Sequence, residues 1–319
     1  MNMQQKFDLI MGRQRDFRWG EPYVPSTLAV PREAPKKSRI SRLNSRKLNR
    51  AIHAMSNPER VFIQLALHSP CLLDIHEQKM LWPYDAPHPL SGHPLMKGGF
   101  PPPVRGTTDI ATEIGFKHVE VTVRDKGVWR RMPFPYQGDL LLYLLGENGV
   151  PYAVNWTIKD QSEAFGERRL SSLKTPFQQS KDRDYAEGRT ELETAYYASA
   201  GIRTVKASLD NIAPTVQANL GLIFPMHNVS LSHPVELLAE FSAEVTDFLA
   251  RGEPAYIVIS KFGKRWGDPR QFTARFYQDI WEGRLKVNFF QPILIDHPLE
   301  MERGDPLQVY GSLFTEKSS

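Results

Sequence analysis

Residues 139–159 carry the clearest structural signal in the chain and read DLLLYLLGENGVPYAVNWTIK. An apolar run over 140–145 is followed by a glycine-bounded turn and by a second apolar stretch, which predicts two antiparallel strands joined by a tight turn. Asp139, at the start of the first strand, then lies beside Lys159, at the end of the second. Thr157 shares the face of Lys159, because side chains alternate along a strand.

A carboxylate beside a lysine at a sheet edge suits a metal-dependent nuclease. Carboxylate oxygens hold Mg²⁺, the ion lowers the pKa of a bound water, and a lysine steadies the nucleophile or the developing charge. The same residue types are also common at strand ends for other reasons, since Asp favours turns and Lys keeps sheet edges soluble. From these residues alone, both interpretations remain open.

The flanking sequence predicts a mixed α/β fold. Asn57-Pro58 predicts the start of a helix with Glu59 in its first turn, residues 71–77 predict a buried strand, and residues 83–106 predict a loop rich in proline and glycine. Alternation over 119–124 with a turn at Lys126-Gly127 predicts a further hairpin. Residues 160–189 read as polar and irregular, and a helix over 190–200 and a strand over 202–207 follow.

The pattern changes near residue 211. Two helices are predicted, one after Ser232 and one from Asp268-Pro269, and residues 284–290 and 293–295 then read as two strands. Helix, helix and hairpin in this order predict a winged-helix-like α+β domain over 211–319. The predicted divisions are therefore an arm over 1–50, an α/β domain over 51–210 with an insertion near 80–138, and the C-terminal domain.

Positive charge concentrates near the N-terminus. The whole chain of 319 residues has a net charge of +4, whereas residues 1–60 alone carry 13 Lys or Arg and 5 Asp or Glu. Prolines at 22, 25 and 31, followed by a basic run from Pro35, and little periodicity predict an extended arm over 1–50. Such an arm either contacts phosphates or is a solvated tail, and both interpretations remain open. The basic residues in question are Lys36, Lys37, Arg39, Arg42, Arg46, Lys47 and Arg50.

Several classes of protein lack sequence support. The single cysteine, Cys71, excludes a disulfide framework and favours a reducing cytoplasm. The longest apolar run has six residues, far fewer than the ~18 that a membrane span needs, and the charged N-terminus does not read as a signal peptide. The chain has no GxxxxGK[ST], GxGxxG or GxSxG motif. We therefore expect a cytoplasmic protein without a membrane partner.

Five short motifs, in order, resemble those of the TnsA transposon endonucleases, and the similarity covers roughly residues 38–225. Further likeness continues through Glu191-Leu-Glu-Thr-Ala-Tyr-Tyr and Asn211-Ile-Ala-Pro. The five motifs are Asn57-Pro-Glu-Arg-Val-Phe, Leu73-Asp-Ile-His-Glu-Gln78, Thr108-Asp-Ile-Ala-Thr-Glu-Ile-Gly-Phe-Lys-His118, Gly138-Asp139 and Trp156-Thr-Ile-Lys159.

This resemblance implies a restriction-endonuclease-like PD-(D/E)XK core in a bacterial cytoplasmic protein. It implies Mg²⁺, with Mn²⁺ as a substitute, and cleavage of the 5′ ends of a transposon. The partners implied are transposon-end DNA, a TnsB-type transposase that handles the 3′ ends, and a TnsC-type ATPase regulator that docks on the C-terminal domain.

The resemblance also implies site residues. The helical acid of the family falls on Glu59, the strand acid on Asp139 and the terminal lysine on Lys159. The penultimate acidic or glutamine position falls on Thr157, so metal ligation would use Glu59, Asp139, the Ile158 carbonyl and water. Because of this departure, the sequence leaves open whether one or two metal ions bind. Accessory Glu77 and Gln78 match the end of the second motif, and we favour a structural or DNA-positioning role for them.

Two alternatives remain open. A free-standing restriction or junction endonuclease would use the same chemistry without partner proteins. A non-catalytic DNA-binding adaptor with a decayed nuclease core would use the winged helix and the basic arm, and the threonine at position 157 favours this second alternative.

Overall fold

The protein is described by a computed structural model that covers residues 1–35, 38–97, 101–125, 127–165 and 175–316. The α-helices are α1 Met3–Gln14, α2 Asn57–His68, α3 Thr107–Glu113, α4 Pro176–Ala198, α5 Pro214–Ile223, α6 Val235–Ala250, α7 Ala255–Trp266, α8 Pro269–Trp281 and α9 Pro306–Val309. The strands are β1 Ser41–Ser45, β2 Arg50–Ala54, β3 Leu72–Glu77, β4 Met80–Leu81, β5 Glu120–Asp125, β6 Val128–Pro133, β7 Tyr136–Gln137, β8 Leu140–Leu145, β9 Pro151–Lys159 and β10 Arg203–Ser208.

A four-stranded mixed sheet lies at the centre of the molecule, and its strand order is β10-β9-β8-β3. β9 pairs antiparallel with β8 and parallel with β10. Leu140 faces Trp156 across the β8–β9 pair, so the hairpin predicted from residues 139–159 is confirmed. The predicted mixed α/β class is confirmed as well.

Helices cover both faces of this sheet, because both alternating sets of side chains are apolar. Leu140 and Trp156 point into a large core that includes α2, and the Phe62 ring packs against the Trp156 ring at 5.6 Å between centroids. Leu141 and Tyr143 point into a second core that includes Leu192 and Tyr196 of α4. The chain order around the sheet is therefore helix α2, strands β3, β8 and β9, helix α4 and strand β10.

Helix α2 begins as predicted, but its cap is Ser56 rather than Asn57. The Ser56 hydroxyl accepts a hydrogen bond from the Glu59 amide, whereas the Asn57 side chain accepts hydrogen bonds from Arg60 instead. Pro58 lies in the first turn, where a missing amide hydrogen has no cost. Helix α4 begins at Pro176, well before the predicted start at 190, because Thr175 caps it.

The N-terminal region is folded, and the prediction of an extended arm over 1–50 is wrong. Helix α1 buries Ile10 and Gln14, and β1 and β2 form an antiparallel hairpin. The Gln14 side chain donates to the Tyr23 hydroxyl and accepts from the Met80 amide, which ties this region to the end of β3. A few buried residues between charged ones are enough to fold the segment, although they produce little periodicity.

The C-terminal region is helical, and the two strands predicted over 284–290 and 293–295 are wrong. Residues 284–316 contain one isolated β-bridge, between Val287 and Met301, and form no β-strand. Pro292 and Pro298 cannot donate backbone hydrogen bonds, and the apolar side chains of this segment pack directly on the core. The predicted wing is therefore absent from this part of the chain, while an unpredicted helix, α7, precedes α8.

One large core crosses the boundary predicted near residue 211, and it includes residues from Leu43 to Leu299. The division into domains stays a prediction. The hairpin predicted around Lys126-Gly127 is confirmed as β5–β6. Within the described ranges, no helix has the length and apolar character needed to cross a membrane.

Candidate functional site

Glu59 projects from the first turn of α2 and is 7% exposed. Its Oε1 accepts a hydrogen bond from the Ser56 hydroxyl at 2.9 Å, and its Oε2 accepts from the Met55 amide at 2.9 Å. The Gln78 side-chain amide also donates to Oε2, at 3.2 Å. The carboxylate is therefore held in one orientation by groups from the start of α2 and the end of β3.

Asp139 immediately precedes β8 and is half-buried. Its Oδ2 accepts a hydrogen bond from the Ile158 amide at 2.7 Å, which fixes the side chain against the end of β9. In an extended strand, the amide and the carbonyl of one residue project toward the same neighbouring strand. The Ile158 carbonyl therefore lies on the Asp139 side of β9.

The structure brings Glu59, Asp139 and Lys159 into one electrostatic environment. Burial, and after it the negative charge of Asp139, raise the pKa of Glu59 to about 7. The Met55 amide, the Ser56 hydroxyl and the Lys159 ammonium act in the opposite direction. The charges of Asp139 and Lys159 therefore both act on the Glu59 carboxyl, and the assignment of the three residues to one catalytic site stays a prediction.

Gln78 links the two acids. Its side chain contacts Glu59, and its backbone amide donates to the Asp139 carbonyl at 2.9 Å. The residue has φ of +48°, in the left-handed region that non-glycine residues seldom adopt. Its carbonyl accepts from the Ser26 hydroxyl at 2.6 Å, which helps to hold this conformation. Gln78 is thus a positioning residue for Glu59.

Glu77 is paired inside the protein, which favours the structural over the DNA-positioning role predicted for it. Its side chain is fully buried and accepts from Arg50 at 3.0 Å on both oxygens, and the His53 amide donates to it at 3.1 Å. Burial raises the pKa of Glu77, and the Arg50 charge opposes that effect. The prediction of a structural role for Glu77 agrees with this geometry.

Thr157 faces α4, and its hydroxyl donates to Glu193 Oε1 at 2.9 Å. The Asn155 side chain donates to the same oxygen at 2.9 Å, and Arg189 donates to the other at 3.2 Å. A Cβ placed on Gly138 would lie 3.3 Å from Glu193 Oε1, so this carboxylate lies directly beneath the backbone that leads into Asp139.

Sequence reasoning missed Glu193 as a site residue. It stands within Glu191-Leu-Glu-Thr-Ala-Tyr-Tyr, and because 34 residues separate it from Lys159 the sequence holds no local signal that the two are near each other. A polar residue at a helical position that otherwise faces the core, beside Leu192 and Tyr196, was the available hint.

The acidic residues fit a magnesium ion that keeps several waters. In the described ranges, no group of three or more His, Cys, Asp or Glu side chains is arranged to hold a metal. Magnesium commonly uses one or two protein carboxylates, and here Glu59, Asp139 and the Ile158 carbonyl would supply hard oxygen atoms. The negative charge of Asp139 raises the pKa of Glu59, and a cation bound between the two carboxylates would offset that repulsion.

The predicted DNA-contacting residues separate into three groups. Lys36 and Lys37 lie outside the described residues. Arg39 and Arg42 are exposed, and so are Arg46 and Lys47, which donate to the carbonyls of His227 and Ser69.

Arg50 differs, because its guanidinium is 15% exposed and bonds to Glu77 and Asp74. An internal ion pair already uses the donors of Arg50, which disfavours the expected phosphate contact, and that contact stays a prediction.

No protein-family model matches the chain, and no curated protein is significantly similar to it. The resemblance to the TnsA endonucleases therefore rests on the five motifs and stays a prediction.

Proposed function

We propose that the protein is a Mg²⁺-dependent DNA endonuclease with Glu59, Asp139 and Lys159 at its centre. The observation that supports this most is the shared electrostatic environment of these three residues, which lie 80 and 20 positions apart in the chain. The helix, three strands, helix and strand around the sheet also suit a PD-(D/E)XK core.

Each residue of the proposed site would have a separate role in catalysis. Mg²⁺, when bound, would lower the pKa of a water for attack on a phosphodiester. Glu59 and Asp139 would hold the ion, with Asp139 kept in place by the Ile158 amide. Lys159 would orient the attacking water or offset the charge that develops on the phosphate. Gln78 and Ser56 keep the Glu59 carboxylate aimed at this point.

Glu193 lies on the α4 side of the sheet and contacts β9 two residues before Lys159. Its carboxylate accepts a hydrogen bond from the hydroxyl of Thr157, the residue that stands where the TnsA motif has an acid or glutamine. Arg189 donates a hydrogen bond to Glu193 and another, of 2.8 Å, to the carbonyl of Gln137. Gln137 lies two residues before Asp139 in the chain. The buried network therefore fixes the backbone on both sides of the proposed site.

By its resemblance to TnsA, the protein would cut the 5′ ends of a transposon beside a TnsB-type transposase, under a TnsC-type ATPase regulator. The competing function is a DNA-binding adaptor without cleavage. The threonine at position 157 favours the adaptor, whereas the ordered carboxylate of Glu59 favours the enzyme, because an unused acid would gain nothing from this burial.

Strand-specific cleavage mapping of transposon-end DNA with Mg²⁺ and the partner transposase tests the proposal. Asp139→Ala and Lys159→Ala should each abolish the 5′-strand cuts and leave 3′-strand joining intact. Glu147→Ala is the matched control, because Glu147 is exposed at the other end of the same hairpin. Unchanged 5′ cleavage in either site variant would exclude this centre. Absence of cleavage in the unmodified assembly, with DNA binding retained, would favour the adaptor.

A further inference from the structure

The β5–β6 hairpin presents one complete face to solvent. In its antiparallel register Arg124 is opposite Trp129, and Thr122 is opposite Arg131. All four residues are exposed, whereas Val121 and Val123 on the other face are 6% and 5% exposed. The hairpin is therefore a two-stranded ribbon with Val121 and Val123 buried on one face and the opposite face open to solvent.

The free side combines a large aromatic ring with arginines. Trp129 is 61% exposed. A lone exposed apolar residue is ordinary, but a tryptophan with an arginine opposite it is the composition typical of interaction surfaces. Aromatic rings interleaved with basic side chains are a common arrangement in nucleic-acid-binding surfaces.

The charge of the ribbon suits an anionic partner. Residues 120–133 contain four basic and two acidic residues. The ion pair between Arg131 and Glu120 measures 2.7 Å, and the two side chains are 77% and 49% exposed. An ion pair this open contributes little stability, so Arg131 can exchange the carboxylate for a phosphate at small cost.

The base of the ribbon is fastened to the proposed site. The Phe134 amide donates to the Val119 carbonyl at 2.8 Å, and the Val119 amide donates to the Tyr136 hydroxyl at 3.1 Å. Arg189 lies over the Tyr136 ring at 4.7 Å and bonds to the Gln137 carbonyl. The same arginine pairs with Glu193, so Arg189 contacts both the base of the ribbon and the backbone that leads into Asp139.

The tip of the ribbon lies within about one turn of DNA duplex of the proposed site. Val128 and Asp139 are eleven residues apart, which limits their separation to about 36 Å. One turn of B-DNA rises ~34 Å, and its major groove is wide enough for a two-stranded β-ribbon.

We propose that the exposed face of β5–β6 binds the DNA duplex that flanks the scissile phosphate. Arg124 and Arg131 contact phosphates, and Trp129 packs against sugars or base edges in the groove. This inference rests on the proposed function, and it assigns DNA contact to a surface distinct from the basic residues of 36–50.

Binding measurements that do not depend on cleavage test this inference. The full-length Asp139→Ala chain is titrated against a fluorescein-labelled 40-bp duplex of mixed sequence, by anisotropy, over a series of salt concentrations. Adding Arg124→Gln and Arg131→Gln together should weaken binding about tenfold or more and make the slope of log K against log salt shallower by about two, since each lost phosphate contact removes ~0.9. Adding Trp129→Ala should weaken binding about tenfold with little change in slope.

Arg303→Gln is the matched control, because this side chain is 80% exposed in the C-terminal region, and it should change neither affinity nor slope. If the parent chain binds duplex but the double arginine variant keeps the same affinity and slope, the inference fails and the proposed function stands. If the parent chain does not bind duplex, both fail. If the variants bind DNA normally but lose the partner transposase, the face is a protein-docking surface and the inference is overturned.

Discussion

Glu59 shows how burial of a single carboxyl shapes the candidate site. The side chain is almost fully enclosed, and the positive charge of Lys159 only partly opposes the effects of burial and of Asp139 on its pKa. In the folded protein its pKa is about 7, against 4.5 for an ordinary Glu. The folded state therefore binds this proton more tightly than the unfolded state, and its stability falls as the pH rises from about 4.5 to 7.

Glu59→Gln should stabilise the metal-free protein at pH 8 and leave its stability unchanged near pH 4.5. The variant removes an ionisation that costs about 3 kcal/mol above pH 7, and glutamine keeps the shape of the side chain. Urea unfolding in EDTA at both pH values measures the difference. Glu236→Gln, an exposed acid in the first turn of α6, is the control and should show no such gain. Equal unfolding free energies of Glu59→Gln and the unmodified protein at pH 8 would contradict this account.

At the scale of elements, the start of α2 sets the direction of the Glu59 side chain. Ser56 accepts from the Glu59 amide and donates to the Glu59 carboxylate, so one hydroxyl caps the helix and orients the acid. Proline in the first turn restricts the chain to the helical φ in advance. This cap is a local feature, although the residue that it orients contacts distant parts of the chain.

Ser56→Ala should lower the unfolding free energy by about 1 kcal/mol, the usual cost of losing a helix cap. It should also reduce cleavage more than this loss of stability explains, because the Glu59 carboxylate loses one of its three hydrogen-bond donors. Thermal unfolding and the cleavage rate, measured together, check both effects. Ser56→Thr keeps the hydroxyl and should restore both, while Ser230→Ala, at an exposed position, should change neither. A normal cleavage rate in Ser56→Ala would remove Ser56 from the site.

At the scale of the whole molecule, the N-terminal region supports the sheet. The Tyr23 hydroxyl donates to the Glu77 carbonyl at 2.8 Å, and the Ser26 hydroxyl donates to the Gln78 carbonyl at 2.6 Å. Arg50 bonds to Glu77 and to the Ile75 carbonyl from the β1–β2 hairpin. Residues far apart in the chain thus hold the end of β3, where Gln78 meets Glu59 and Asp139.

Arg50→Gln should destabilise the fold by about 3–5 kcal/mol, because it leaves the buried Glu77 carboxylate without its cation. Chemical denaturation measures this loss. Arg42→Gln, an exposed arginine in the same hairpin, is the matched control and should leave the unfolding free energy within about 0.5 kcal/mol. If Arg50→Gln instead changed only the salt dependence of DNA binding, the earlier expectation of a phosphate contact would be supported.

Local patterns in the chain determined the β8–β9 hairpin, the start of α2 and the placement of Asp139 beside the end of β9. These features depend on alternation, turn residues and caps, which act over a few positions, so they can be recognised from the order of residues. The candidate residues Asp139 and Lys159 follow from that pattern, and Glu59 required the resemblance to TnsA.

Contacts between distant segments decided the rest. The basic residues near the N-terminus look alike in the sequence, but folding makes Arg50 a buried partner of Glu77 and leaves Arg42 in solvent. The Thr157 hydroxyl meets Glu193 because α4 packs on that face of the sheet. The apolar residues of 284–290 pack on the core instead of pairing as strands. In each case the free energy comes from burial and from a partner remote in the chain, and neither is encoded in the neighbouring residues.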